Sequence, residues 1–127
     1  MKKLKLVVSV LILIVMLVPG LCLADLTLVD ELTNAAMGND IQQVNELIAK
    51  GADVNGKSDY GGFTPLACAV WNGHTELVKL LIAKGADVNE KLNNKETPLS
   101  IAESKTPAYF RDVIIKLLIQ AGAKEGK

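Results

Sequence analysis

The sequence predicts an all-α solenoid of about three helix–turn–helix repeats, and three observations predict it. Residues 47–55 read LIAKGADVN and residues 81–89 repeat the same nine letters, with Gly51 and Gly85 34 positions apart. Thr64-Pro65-Leu66-Ala67-Cys68-Ala69 and Thr97-Pro98-Leu99-Ser100-Ile101-Ala102 run in phase with that repeat, 33 positions apart. A degenerate third copy, LLIQAGAK, closes the chain at 117–124. A period in the low thirties marks stacked supersecondary units rather than one closed core.

The N-terminal element reads as a targeting segment rather than part of the fold. Lys2, Lys3 and Lys5 precede an apolar run, Leu6 to Val18, broken only by Ser9. Pro19 and Gly20 end it, and Cys22-Leu23-Ala24 places small residues three and one before Asp25. This is the layout of a secretory signal peptide cleaved after Ala24, leaving residues 25–127 as the mature domain. A short Lys-rich signal of this kind looks bacterial, so the expected location is secreted or periplasmic. One alternative is an uncleaved anchor, because residues 6–24 approach the ~20 apolar residues that span a bilayer. Another is lipidation at Cys22, although Leu21 stands where such signals carry a small residue.

The repeats follow as about 27–59, 60–93 and 94–127. In the first, Asp30 stands 34 positions before Thr64 and is predicted to cap the first helix, with Glu31 complementing the positive helix end. Asn39 occupies its inter-helix turn, where a residue tolerant of positive φ is needed. In the second and third, Thr64 and Thr97 are predicted N-caps, with Pro65 and Pro98 at the first helical position, where the missing N–H costs nothing. Gly73 punctuates the second turn. The second helices are predicted over His74 to Lys84 and roughly Arg111 to Ala121. Leu77, Val78, Leu80, Leu81 and Ile82 make a wide apolar face on the former. Gly51, Gly85 and Gly122 follow the second helices, where a left-handed residue ends the turn.

The period near 33, the Thr-Pro-Leu-x-x-Ala starts and the Gly-Ala-Asp-Val-Asn ends resemble the ankyrin repeat, over nearly everything after residue 28. Two departures stand out. Ala67 and Ser100 replace the family's usual His after Thr-Pro-Leu, which implies softer helix starts. Gly122 lies 37 positions after Gly85, so repeat three carries about four extra residues, assigned to a between-helix insertion at Thr106-Pro107-Ala108-Tyr109-Phe110, with Pro107 ending the first helix. The last helix is also very apolar for a solenoid end, which needs a polar outer face. An exposed apolar patch there would serve self-association.

Charge and residue counts narrow the function. Lys+Arg and Asp+Glu are both 14, but three lysines lie in the N-terminal segment, so residues 25–127 hold 11 against 14, a balance of −3. An acidic body has no electrostatic footprint for nucleic acid. One His and one Cys after cleavage cannot build a zinc site of ordinary spacing. There is no phosphate-cradling Gly-rich loop, and no cofactor is expected. Asp53 and Asp87 recur at equivalent places and read as loop-bonding residues, not an acid–base pair. Cys68, between Ala67 and Ala69, reads as a small buried hydrophobe. A redox or enzymatic role for it is the lesser alternative.

The resemblance implies a non-catalytic module that binds an unidentified partner protein through loop tips and first helices, with no membrane contact after cleavage. The family's variable positions fall on Tyr60, Gly61 and Phe63 in the hairpin and on Trp71 and Asn72 at the end of the next helix. They fall on Met37 in repeat one and on Asn93 and Asn94 in repeat three. Three of the five aromatics, Tyr60, Phe63 and Trp71, occupy them. Buried aromatic anchors dominate protein interfaces. The expected site is therefore Tyr60, Phe63 and Trp71, flanked by Met37, Asn72, Asn93 and Asn94. The competing reading has Trp71 bridging two first helices and Phe63 packing on the next loop. Tyr109 and Phe110 are expected to pack locally. A self-associating or envelope-anchored structural protein, driven by the last helix, is the alternative function.

Overall fold

The computed structural model describes residues 23–59 and 61–124. The N-terminal lysines and apolar run, Cys22, Tyr60 and the last three residues lie outside the described residues. The described chain forms six helices in order: α1 (Leu23–Met37), α2 (Ile41–Ala49), α3 (Pro65–Asn72), α4 (Thr75–Ala83), α5 (Pro98–Ser104) and α6 (Ala108–Gln120). Among the described residues no helix is long and apolar enough to cross a membrane. The predicted cleavage point after Ala24 falls two residues into α1.

The helices pair as α1–α2, α3–α4 and α5–α6, and the first helices stack α1 on α3 on α5. Each pair is too short to bury its own apolar face, so the interior is shared between repeats. Leu32, Val44, Leu66, Val70, Leu77, Leu81, Ile101, Ile114 and Leu118 make one continuous core across all three. Among the described residues it contains no fully buried aromatic ring.

The caps follow the sequence closely in the second and third repeats. Thr64 accepts from the Ala67 amide and Thr97 from the Ser100 amide, each with Pro at the first turn. Ser100 does more than replace the expected His. Its hydroxyl accepts from the Thr97 amide at 2.9 Å and closes a capping box, satisfying two orphan donors reciprocally. The start of repeat three is therefore fully capped rather than softened.

Gly51, Gly85 and Gly122 sit at φ 97°, 94° and 100° after the second helices, and Asn39 at φ 56° in the first turn. Behind Gly51 and Gly85 an Asp–x–Asn triplet bonds itself and then the next repeat. Asp53 Oδ1 accepts from the Asn55 amide, and Asp87 Oδ1 from the Asn89 amide, both at 2.9 Å. Asn55 donates to the Gly85 carbonyl at 3.1 Å and accepts from the Asp87 amide at 2.6 Å. Asn89 repeats this against Gly122 and Lys124 at 3.1 and 2.8 Å. The repeated VN of the sequence is thus a rung between loops, and Asp53 and Asp87 are its local braces.

Three expectations are corrected. Asp30 does not cap a helix; it lies in the middle of α1. Repeat one has no proline to fix the start, so the helix runs on through the apolar residues upstream. The extra residues of repeat three do not form a loop between helices. Pro107 stands ten residues after Thr97, as His74 does after Thr64, and both begin second helices. α6 has 13 residues where α4 has 9, so the insertion is one added turn. Four residues rotate a helix by about 400°, which nearly restores the buried face. Ile114 and Leu118 keep to the core while Val113 and Ile119 stand exposed. Finally, Tyr109 is 87% exposed and touches Phe110 edge-on. It lies in the first turn of α6, off the core-facing side.

Candidate protein-binding groove

The candidate surface is built by two first helices and the hairpin between their repeats. Along α1, Asp30, Thr33, Asn34 and Met37 recur at helical spacing and line one face. Opposite them α3 presents Cys68, Trp71 and Asn72, and the hairpin adds Ser58 and Phe63. Together they enclose a groove of about 530 Å³.

Trp71 and Phe63 form the apolar wall. Their rings meet edge to face with centroids 5.9 Å apart and planes at 77°. This is the geometry in which a positive ring edge meets a negative ring face. Trp71 remains 37% exposed although it belongs to a helix whose other residues are nearly all buried. The ammonium of Lys105, from the C-terminal end of α5, lies 5.3 Å from the Trp71 ring centroid. Asn72 fixes the end of α3 by donating to the Cys68 carbonyl at 2.9 Å.

Electrostatically the groove is simple. Asp30 is the charged residue among those lining it. Its Oδ1 accepts from the Asp59 amide at 3.4 Å, which brings the hairpin against α1. The ion pairs of the described residues are Lys57–Glu90 and Lys79–Glu76, so Asp30 is in neither. Thr33 is buried but satisfied, donating to the Val29 carbonyl at 2.8 Å. Burial pushes the Cys68 thiol up from 9.0 to about 12 by desolvation. A thiol so protonated is a poor nucleophile. Among the described residues no group of His, Cys, Asp and Glu could hold a metal ion.

Of the residues singled out from the sequence, the structure brings Met37, Phe63, Trp71 and Asn72 to this one groove. Tyr60 lies outside the described residues. Asn93 and Asn94 are placed elsewhere. Asn93 packs against Gly62, where any Cβ would collide with it. Asn94 holds its own turn, accepting from the Glu96 amide at 3.0 Å and donating to its carboxylate at 2.6 Å. Asn93 joins hairpin to hairpin and Asn94 stays within its own turn, so neither lines the groove.

The sequence reading missed Asp30, Thr33 and Asn34 as groove residues and Lys105 as the partner of Trp71. The i, i+3, i+4, i+7 spacing from Asp30 to Met37 carried the signal, but it was masked by the assignment of Asp30 to a cap. His74, at the start of the second repeat's second helix, lies with Nε2 3.0 Å from the Met37 carbonyl. It ties the end of α1 to the next repeat's turn.

Comparison with known proteins places this geometry. A family model described as ankyrin repeats (3 copies) matches residues 32–126. Over 71 residues the chain is 41% identical to the 2-5A-dependent ribonuclease of Mus musculus, a match covering 56% of this chain and 10% of that protein. The chain thus spans about a tenth of that relative's length. The ribonuclease activity recorded in its name belongs to that protein.

Proposed function

Because the chain belongs to the ankyrin-repeat family, whose repeats are generally non-catalytic protein–protein interaction modules, we propose that it holds a partner protein in the groove between α1 and α3. The observation that carries this reading is the convergence of Met37, Phe63, Trp71 and Asn72 on that groove. Large amphipathic side chains at the centre of a concave surface are what interface hot spots are made of. Tyr60, three residues before Phe63 in the sequence, lies outside the described residues and enters the proposal from the sequence alone. The N-terminal signal layout supports export, so the partner is placed in the periplasm or outside the cell. Self-association is the second reading, favoured by the exposure of Tyr109, Val113 and Ile119 along α6.

Affinity capture from native extract tests the proposal. Proteins captured by the wild-type chain and lost to a Tyr60→Ala/Trp71→Ala variant of equal helix content are the expected result. Capture unaffected by that variant, but abolished by Val113→Ser/Ile119→Ser, would move the binding surface to α6.

A further inference from the structure

We infer that the groove selects a partner segment bearing a lysine or arginine side chain, whose stem lies along Trp71, Phe63 and Met37 and whose cation meets Asp30. This rests on the reading of the groove as a protein-binding site and specifies the chemistry of what enters it.

Charge complementarity carries the inference. A groove walled by Met37, Phe63 and Trp71 and otherwise lined by uncharged side chains holds one carboxylate, Asp30, and that carboxylate is in none of the ion pairs of the described residues. An apolar side chain seated there would strip water from Asp30 and return nothing. An acidic one would meet a like charge. A Lys or Arg side chain satisfies both parts of the groove, because its aliphatic stem covers apolar surface while its head stays polar. The wall already takes a cation: Lys105 Nζ lies 5.3 Å over the Trp71 ring, within the range of attraction to the ring's negative face. Exposed Asp59, whose amide bonds Asp30, extends the acidic edge. The net −3 of residues 25–127 adds a weak long-range pull in the same direction. Lys105 is then a rival for the incoming cation, both through its charge and through its hold on Trp71.

The chain has one tryptophan, so fluorescence excited at the red edge of the indole band, where the two tyrosines do not absorb, reports this groove alone. The full chain, in a mild neutral detergent, is titrated with three capped peptides, Gly-Leu-Arg-Leu-Gly and the same peptide with norleucine or glutamate replacing arginine. The arginine peptide is expected to perturb Trp71 saturably, bind at least about fivefold tighter than the norleucine peptide, and weaken as salt is added. Asp30→Asn, which keeps an acceptor for the Asp59 amide, should remove that advantage by weakening the arginine peptide, while the norleucine peptide binds no more weakly than before. Lys105→Gln should tighten the arginine peptide about two- to fivefold.

Equal binding of the arginine and norleucine peptides, indifferent to Asp30→Asn, would overturn the charge selectivity and leave a plain apolar docking groove. Preference for the glutamate peptide would overturn it as well. Silence from all three at millimolar peptide overturns the inference too. Whether capture of a protein still depends on Tyr60 and Trp71 then decides the wider reading separately. A dimer in light scattering that dissociates in Asp30→Asn would make the occupant a second copy of this chain and overturn the separate partner.

Discussion

The Thr106 hydroxyl donates to the Val70 carbonyl at 2.6 Å, from the turn before α6 to the last turn of α3, and both residues are buried. Thr106 occupies the place that Gly73 holds one repeat earlier. There the turn reverses on a left-handed glycine, and here on a side-chain bond reaching across the repeat interface. Thr106→Val keeps the shape and deletes the donor, leaving the buried Val70 carbonyl with the Gly73 amide as its remaining partner. The expected loss is about 0.5–1.5 kcal/mol, read as a fall in Tm of a few degrees. Thr106→Ser should retain most of the stability.

Gly73 has its own constraint. Its φ is 75°, and a Cβ there would lie 2.9 Å from Cδ2 of Phe110. Gly73→Ala therefore carries both a left-handed backbone cost and a clash with the added turn's aromatic ring, together about 1–3 kcal/mol. Pairing it with Phe110→Ala should recover the steric part only. A thermal double-mutant cycle measures the coupling between the two positions.

The rungs between loops give a graded prediction. Asn55→Ala and Asn89→Ala each delete one donor and one acceptor contact to the following repeat. Both asparagines are exposed, so water takes over the lost partners, and each substitution should cost about 1 kcal/mol. They differ in place: Asn89 joins only the last repeat to the stack. Hydrogen exchange should therefore accelerate in α6 for Asn89→Ala, while Asn55→Ala loosens α1 and α2.

What the sequence carried and what it hid divide along one line. Positions whose conformation is decided locally were readable: Thr64 and Thr97 as caps, Gly85 after its helix, Asn39 in its turn. Each rests on a preference of its own residue type. Positions decided by a neighbour in space were not. Asp30 looks like a cap at the right spacing, but nothing in α1 stops the helix there, and its real partner is the amide of Asp59. The four added residues of repeat three look like a loop because they contain Pro107. Yet Pro107 fits just before a first helical turn, and the added turn preserves the core register of Ile114 and Leu118. The groove was half legible. Trp71 and Phe63 stood out as rare aromatics, whereas Lys105 became relevant only when stacking brought α5 beside α3.

Trp71 separates packing from recognition. In the structure it contacts the edge of Phe63 and one ammonium, and a third of its surface faces water. Trp71→Ala should cost about 1–2 kcal/mol from the ring pair and cation contact, well below the 3–5 kcal/mol of truncating a core aromatic. Urea unfolding with unchanged m-value, together with loss of captured partner from the folded fraction, is the expected pair of results. A loss of more than ~4 kcal/mol would make Trp71 a core residue instead.

Cys68 sets a ceiling on alkaline stability. Its thiol titrates near 12 in the folded protein against 9.0 in an open chain. The folded pKa is the higher one, so the unfolded state loses its proton first as pH rises. Its contribution is fully present below pH 9 and falls away between pH 9 and about 12, by at most ~1.4 kcal/mol per pH unit from this one group. Cys68→Ala removes that slope while leaving a small cavity, so it should be less stable than wild type at pH 7 and should close the gap by pH 10. The same burial predicts slow labelling of native protein by a thiol reagent at pH 8, becoming fast once urea unfolds the chain. Denaturant titrations of both proteins at pH 7 and pH 10 measure the gap directly, and a gap unchanged between the two pH values would show that the thiol is not desolvated.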